Sequence, residues 1–458
     1  MSLPAPACVT RLEEIVGNAY VVVDPVELSL RQVDGKLPLA VVQPAEVAQV
    51  AEILRFAAAE RLAVIPCGGC TKLGIGSPPA RYDIALDLSR MNRVLAYDPR
   101  DLTLGVEPGV RIQDLLRVLA EQNQFLPLAV PFAERATVGG IVAANSSSPL
   151  RQFYGGVRDF CLGIEFVTGE GVISKGGGRV VKNVTGYDLH KLLIGSLGTL
   201  AVITRVNFRT FPLPPAQGTF VAAFSDAESA FGFCRGVAKS VLTPQILEVA
   251  DPAAADLIFS GAAPARIAPQ QWCVIITAAG QPAVVDRYAR ELGHIASATN
   301  AAEFMPLSDT EQSFILTRVR EFPRLVLEAV PPAIIFRLSL LPTAMTPLLG
   351  KLSDIAKRRN LNFATLTRAS GILYAVFFAE EGTEASAAEV AGASKEVFQV
   401  RAQPENNTQA MLEFAPAEIK RAVDVWGPER QDFALMKRVK NVFDPQNVLS
   451  PGRFAGGI

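Results

Sequence analysis

The segment Pro66-Cys67-Gly68-Gly69-Cys70-Thr71-Lys72-Leu73-Gly74-Ile75-Gly76 holds the chain's single C-x-x-C. Three chemistries compete for it: a redox pair, a metal clip, or a loop that uses its glycines rather than its sulfurs. A thioredoxin-type pair opens a helix whose N-terminus stabilises the first thiolate. Here Gly74, Gly76, Pro78 and Pro79 follow, and they oppose a helix. A structural zinc needs a second C-x-x-C or nearby imidazoles, but His190 and His294 are the only histidines in the chain. The remaining reading is a tight loop after the short apolar strand Leu62–Pro66. Gly68 and Gly69 are expected at positive φ, turning consecutive N–H groups into an anion-binding nest that suits a diphosphate. A plain glycine-rich turn is the alternative. The loop is not the dinucleotide fingerprint, because no G-x-G-x-x-G opens a helix here.

Further along, Ala136-Thr137-Val138-Gly139-Gly140-Ile141-Val142-Ala143-Ala144-Asn145 puts small residues where a flat ring can approach the backbone. Three more glycine-bearing stretches follow: Tyr154-Gly155-Gly156-Val157-Arg158-Asp159, Lys182-Asn183-Val184-Thr185-Gly186-Tyr187-Asp188, and Gly195-Ser196-Leu197-Gly198-Thr199-Leu200-Ala201-Val202-Ile203-Thr204. Each by itself is compatible with turn chemistry. Arg337, in Phe336-Arg337-Leu338-Ser339, lies inside an apolar strand, which is costly unless the cation is paired or functional.

The elements that carry these residues alternate helix and strand. Pro44 to Glu60 has helical apolar spacing at Val47, Val50, Ile53, Leu54 and Ala57. Strands are expected at Tyr82–Leu88, Leu102–Val106 and Ala201–Phe208, and helices at Ile112–Gln122 and Leu189–Ile194. Phe211-Pro212-Leu213-Pro214-Pro215 is a stiff linker. Beyond it, strands Thr219–Phe224, Gln245–Ala250, Trp272–Thr277, Ile334–Leu340 and Ile372–Phe378 alternate with longer helices, an α+β pattern. No internal repeat is visible.

The totals set bounds. A chain of 458 residues, 49% hydrophobic and of net charge −1, has room for two or three domains and carries no basic footprint for nucleic acid or membrane. Its first residues lack a signal-peptide pattern, and its apolar runs fall short of the ~20 residues of a membrane helix. Six scattered cysteines are not a disulfide framework. A cytoplasmic location is expected, or a peripheral one at the inner membrane through partners.

Taken together and in this order, the glycine loop and the four later motifs resemble the FAD-binding domain of the vanillyl-alcohol-oxidase, or p-cresol methylhydroxylase (PCMH)-type, FAD-linked oxidase family. The resemblance covers Leu37 to Pro214. The tail Met436–Phe454, with "VFDPQNVLSPGRF", is similar to the C-terminal ending of FAD-linked oxidases. Within the family, "FLPLAVPFAERATVGG" and "KNVTGYDLHKLLIGSLGTLAVIT" look most like the FAD-binding subunits of glycolate oxidases.

The resemblance implies an α+β architecture: a two-subdomain PCMH-type FAD-binding domain (1–213), a ferredoxin-like α+β cap (217–400), and a segment returning to the FAD domain (401–458). It implies non-covalent FAD. The pyrophosphate maps to Cys67, Gly68, Gly69, Cys70, Thr71 and Leu73, and the isoalloxazine and ribityl chain to Pro131, Thr137, Gly139, Gly140, Ala143 and Asn145. The adenine maps to the main chain of Ile203, with Gly198 and Thr199 nearby. Leu197 and Ala201 depart from the Glu and Gly common in relatives, which blurs the contacts there. Asn183 and Tyr187 either face the flavin or brace the loop, and Lys182 and His190 are surface or bracing residues.

No metal site is expected, because the histidine-rich metal site of related 2-hydroxy-acid dehydrogenases has no counterpart. Oxidation of a 2-hydroxy acid needs a base for the hydroxyl proton and a cation for the carboxylate. Arg320 resembles the cap arginine that holds the carboxylate, and Arg337 is the second candidate; both have a structural ion pair as the alternative. No base is evident. The implied function is the FAD-binding subunit of a glycolate (2-hydroxy-acid) oxidase-type complex, beside a catalytic flavin subunit and an iron–sulfur subunit. A self-sufficient oxidoreductase acting on another small alcohol or acid, and a non-catalytic scaffold, are the alternatives.

Overall fold

The computed structural model describes residues 5–179, 187–261, 270–330, 333–379, 387–401, 408–428 and 431–458. The chain divides into two compact units. The first comprises Met1–Ser146, Gly156–Pro212 and Asp424–Ile458, the second Ser147–Gly155 and Leu213–Val423. No described helix is long and apolar enough to cross a membrane.

The first unit is built on two sheets. Strands β1 (Val21–Val22), β2 (Ala40–Val42), β3 (Val64–Cys67) and β4 (Ile84–Asp87) lie in the order β1-β2-β4-β3. β2 and β3 both run parallel to β4. Helix Val47–Glu60 makes the crossover from β2 to β3. It starts three residues after Pro44 rather than at it, and it ends where Arg61 turns left-handed at φ 58. Its buried stripe of Val50, Ile53, Leu54 and Ala57 packs with Val42, Val64, Ile84 and Leu86.

Strands β5 (Val94–Asp98), β6 (Thr103–Val106), β7 (Gln124–Phe125), β8 (Cys161–Thr168), β9 (Ile173–Gly177), β10 (Ala201–Arg209) and β11 (Phe211–Pro212) follow. β7 and β11 pair with each other, and the rest form a sheet in the order β5-β6-β10-β8-β9. Helix Ile112–Ala120 lays Ile112, Leu115 and Leu119 on this core. The stretch around Gly139 forms a helix, Val138–Ala144. It holds despite its two glycines because Val138, Ile141 and Val142 are buried against the same core.

β3 is an edge strand, and the end of the chain covers it. Val64 N–H donates to the Val448 carbonyl, and Ser450 N–H donates to the Val64 carbonyl. The covering segment is fixed by Lys440, whose buried ammonium donates to the Thr199 carbonyl at 2.7 Å, Asp444 Oδ2 at 2.6 Å and the Leu449 carbonyl at 3.0 Å. Asp444 in turn accepts from Val448 N–H and Leu449 N–H.

The second unit contains one all-antiparallel sheet of eight strands: β12 (Ala216–Phe224), β13 (Ile246–Ala250), β14 (Trp272–Gly280), β15 (Glu303–Pro306), β16 (Ile334–Ser339), β17 (Asn362–Arg368), β18 (Ile372–Phe378) and β19 (Gln409–Phe414). Their order is β15-β12-β14-β13-β17-β18-β16-β19. Each half sets its fourth, first, third and second strands side by side, the ferredoxin-like arrangement, and the first half adds helix Pro252–Phe259 between its second and third strands. The two halves meet where β13 pairs with β17. The unit is therefore a doubled ferredoxin-like layer, a repeat with no visible trace in the sequence.

Lys440→Met should destabilise the first unit by about 3–5 kcal/mol, because it leaves the Asp444 carboxylate buried without its counter-ion. Chemical denaturation followed by near-ultraviolet circular dichroism measures this.

Candidate functional site

β3 delivers the glycine loop at the carboxyl end of a parallel strand, the usual position for ligand binding in such sheets. Among the described residues, the N–H groups of Gly68, Gly69, Cys70, Thr71 and Leu73 have no hydrogen-bond acceptor. Amides left without partners in a half-buried turn carry a desolvation cost that an anionic ligand removes.

The loop owes its shape to close packing rather than to positive φ. Gly68 and Gly69 are not in the left-handed region; Cys70 is, at φ 55. A Cβ on Gly69 would meet the Arg135 carbonyl oxygen at 1.7 Å, and one on Gly68 would meet Thr137 Oγ1 at 2.5 Å. The expectation for these two glycines is thus corrected: they let the loop lie directly on the Arg135 carbonyl and the Thr137 side chain.

That loop forms one wall of a solvent-open cleft. Of the residues expected at a cofactor site, Cys67, Gly68, Gly69, Cys70, Thr71, Leu73, Thr137, Gly139, Gly140, Ala143, Gly198 and Ile203 line it. Pro131, Asn145 and Thr199 do not line it. Asn145 ends helix Val138–Ala144 in a left-handed conformation, and the Pro131 carbonyl accepts from Lys72 Nζ at 3.3 Å. Thr199 is buried, with its hydroxyl donating to the Ser196 carbonyl.

Helix Val138–Ala144 turns Gly140 to the cleft, and its N–H has no acceptor among the described residues. Gly139, by contrast, is required by Pro108, whose Cβ lies 2.7 Å from where a side chain would start. On the far wall, β6 pairs β10 only at Val206–Arg209. The stretch around Ile203 therefore has no strand on that edge.

Arg453 was not foreseen in the cleft. It is buried, lines the cavity, and donates to the Leu73 carbonyl at 2.7 Å and to the Ile75 carbonyl. Its Nη1 has no partner among the described residues. Burial pulls the guanidinium down from its ordinary value, with Asp34 partly opposing, and an anion in the cleft relieves that cost. The chain's end, "SPGRF", thus supplies a cation beside the row of free amides.

Of the remaining expected residues, Asn183 and Lys182 lie outside the described residues. Tyr187 is 90% exposed. His190 is buried against β8 and β9, a bracing position, and burial lowers its pKa.

In the second unit, one sheet face carries a line of polar groups. Arg368 on β17 donates through Nε to Glu248 Oε1 on β13 at 3.0 Å and through Nη1 to the Ser147 hydroxyl at 2.5 Å. Its guanidinium lies 5.2 Å from the Tyr374 ring centre. Arg337 stands opposite Tyr374 in register and pairs with Glu413 at 3.5 Å. Arg320 ends helix Asp309–Arg320 and pairs with Glu321 at 3.1 Å.

Glu248 is fully buried, and burial raises its pKa to about 7 against the opposing pull of Arg368. Its Oε2 has no partner among the described residues. A carboxyl group poised near neutrality has the chemistry of a general base. The reasoning that singled out Arg337 applies equally to Glu248 in "QILEVA" and Arg368 in "TLTRAS", each an ionisable residue in an apolar strand.

Comparison with known proteins agrees with this geometry. Residues 38–177 match the model of an FAD binding domain, and residues 213–403 and 426–454 match the C-terminal domain of FAD linked oxidases. The architecture is that of PCMH-type flavoproteins: p-cresol methylhydroxylase with substrate bound superposes with a TM-score of 0.77 at 15% identity, over 98% of this chain and 96% of that one. The chain belongs to the FAD-linked oxidases, a family of FAD-dependent oxidoreductases.

Among relatives, glycolate oxidase subunit GlcD of Bacillus subtilis (strain 168) is 26% identical over 91% of this chain and 89% of its own length. Glycolate oxidase subunit GlcE of Escherichia coli (strain K12) is 35% identical over 36% of this chain and 47% of its own.

Two outcomes test the site's construction. Gly69→Ala should lower stability, since its methyl collides with the Arg135 carbonyl, whereas Gly140→Ala should leave stability unchanged or raise it by about 0.5–1 kcal/mol of helix propensity. Differential scanning calorimetry compares the two. Stability should also fall as pH rises from about 4.5 to about 7, because folded Glu248 keeps a proton that the unfolded chain has released. Glu248→Gln should remove up to about 1.4 kcal/mol per pH unit of that slope.

Proposed function

We propose that this chain is the FAD-binding subunit of a glycolate (2-hydroxy-acid) oxidase-type complex, passing electrons from its flavin to a partner. The observation that carries the reading is the set of amides of Gly68, Gly69, Cys70, Thr71 and Leu73, without acceptors among the described residues, beside the unpartnered Nη1 of Arg453. A dinucleotide's diphosphate needs that arrangement, and a plain turn does not. Thr137, Gly139, Gly140 and Ala143 would border the ring and ribityl chain, with Pro131 and Asn145 behind them. The free edge of β10 at Ile203, with Gly198 and Thr199 nearby, would meet the adenine. FAD, held without a covalent link, supplies the hydride acceptor.

A multi-subunit setting is supported by similarity to two different glycolate oxidase subunits. The six cysteines lack the spacing for an iron–sulfur cluster, so such a relay would come from an iron–sulfur subunit, with a catalytic flavin subunit alongside. For a 2-hydroxy acid, Glu248 has the chemistry to take the hydroxyl proton. Arg337, on the polar face with Tyr374 and Arg368, is a better candidate for the carboxylate than Arg320, which caps a helix and pairs with its own neighbour.

Purified protein should be yellow, with bands near ~375 and ~450 nm. Bleaching of the ~450 nm band by glycolate or D-lactate under anaerobic conditions would show independent catalysis, and Glu248→Gln should then slow it by about 100-fold or more. A colourless protein that takes up no FAD would leave the scaffold reading. A yellow protein that neither acid bleaches would move the chemistry to a partner.

A further inference from the structure

Cys67 closes β3, and Cys70 follows three residues on in a left-handed conformation. Their side chains share one small core beneath the loop. Cys67 is buried with Val33, Val41, Ile65, Tyr82 and Ala85, and Cys70 packs on the same cluster. The two residues are only three positions apart and both line the same cleft, and Cys70 Sγ donates to the Gly68 carbonyl at 3.4 Å. Cys8, Cys161, Cys234 and Cys273 are buried; Cys70 is the one cysteine that is not. It borders both the cofactor cleft and a second cavity lined by Arg31, Asp87, Arg111 and Arg135.

The electrostatics divide the pair. Contact with the Cys67 thiol lowers Cys70, aided by Arg31 and Arg135 and opposed by burial and Asp87. Contact with Cys70 and burial both raise Cys67. One sulfur is reachable and inclined to ionise, and the other waits beside it.

We propose that Cys67 and Cys70 are a reversible dithiol–disulfide site, modified by hydroperoxides, whose oxidised form releases the dinucleotide; the release rests on the reading of this loop as the FAD site. The Cys70 thiolate attacks the peroxide oxygen, the O–O bond breaks, and a sulfenic acid and one water result. The Cys67 sulfur then displaces the sulfenic hydroxyl as a second water and forms the S–S bond. The thiols lose two protons and two electrons, and hydrogen peroxide becomes two waters. A disulfide requires sulfurs about 2.05 Å apart. Closing it draws Cys70 toward the end of β3 and turns the amides of residues 68–71, which are the donors the diphosphate uses. By linkage, bound FAD slows the oxidation in the same proportion.

The test is to treat the purified chain with hydrogen peroxide, with and without added FAD. The peptide spanning Cys67 and Cys70 is weighed, and FAD affinity is measured by quenching of flavin fluorescence. The expected result is loss of two hydrogens from that peptide, FAD affinity weakened about ten-fold or more, recovery with dithiothreitol, and slower oxidation when FAD is bound. Cys67→Ser should halt at a sulfenic acid that dimedone traps on Cys70. Absence of the disulfide overturns the proposal, as does a disulfide that leaves FAD affinity unchanged. A reduced protein that binds no FAD overturns the cofactor reading and the release together, while the peptide mass still reports whether the pair closes.

Discussion

The loop lies directly on its neighbour where Gly69 meets the Arg135 carbonyl and Gly68 meets the Thr137 side chain, with no room for even a methyl group between them. This contact fixes the direction of the loop that leaves β3, and so decides where a row of amide donors points. Flexible cationic side chains lose rotamer entropy when they grip a ligand. Main-chain amides held by packing are already ordered. The rest of the first unit serves that contact: the β2-β4-β3 layer fixes one side, helix Val138–Ala144 the other, and Arg453 pins the far end of the loop through the Leu73 and Ile75 carbonyls.

The sequence made the loop and the small-residue segment that border this cleft legible, but not the reason for its glycines. Gly-Gly after a buried strand suggests left-handed turns when only neighbours along the chain are considered; the deciding atom, the Arg135 carbonyl, is 66 positions away from Gly69. Helix Val138–Ala144 was hidden for the same reason. Two glycines in seven residues argue against a helix locally, and the buried faces of Val138, Ile141 and Val142 override them. Arg453 carries no local signal that it reaches the loop. β17 and β19 were missed as well, each a short strand that takes its identity from the doubled sheet around it. Glu248 and Arg368 were legible in principle, because charge within apolar strands is the same clue that singled out Arg337.

The second unit concentrates that clue at its seam. β13 and β17 are corresponding strands of the two ferredoxin-like halves, and their register sets Glu248 directly opposite Arg368. Hydrophobic residues would join the halves at lower desolvation cost, so the ion pair is a poor choice for stability alone. Its retention of an unpartnered carboxylate oxygen, next to a cation held by Ser147 and flanked by Tyr374, keeps a proton-exchanging group inside an otherwise apolar layer. Arg337 and Glu413 continue the line with a second, looser pair. The face is close to neutral overall, which leaves selectivity to geometry rather than to net field.

The strap that the tail lays over β3 has a bearing on how the protein matures. Leu73 is held by a residue 380 positions downstream. At typical translation speeds of about 5–20 residues per second, the ribosome needs roughly 20–80 seconds to supply that partner. Until then the loop is an unclasped edge with bare amides. Such a nascent chain depends on holding that edge apart from neighbouring strands until Arg453 has been made and can clasp the loop.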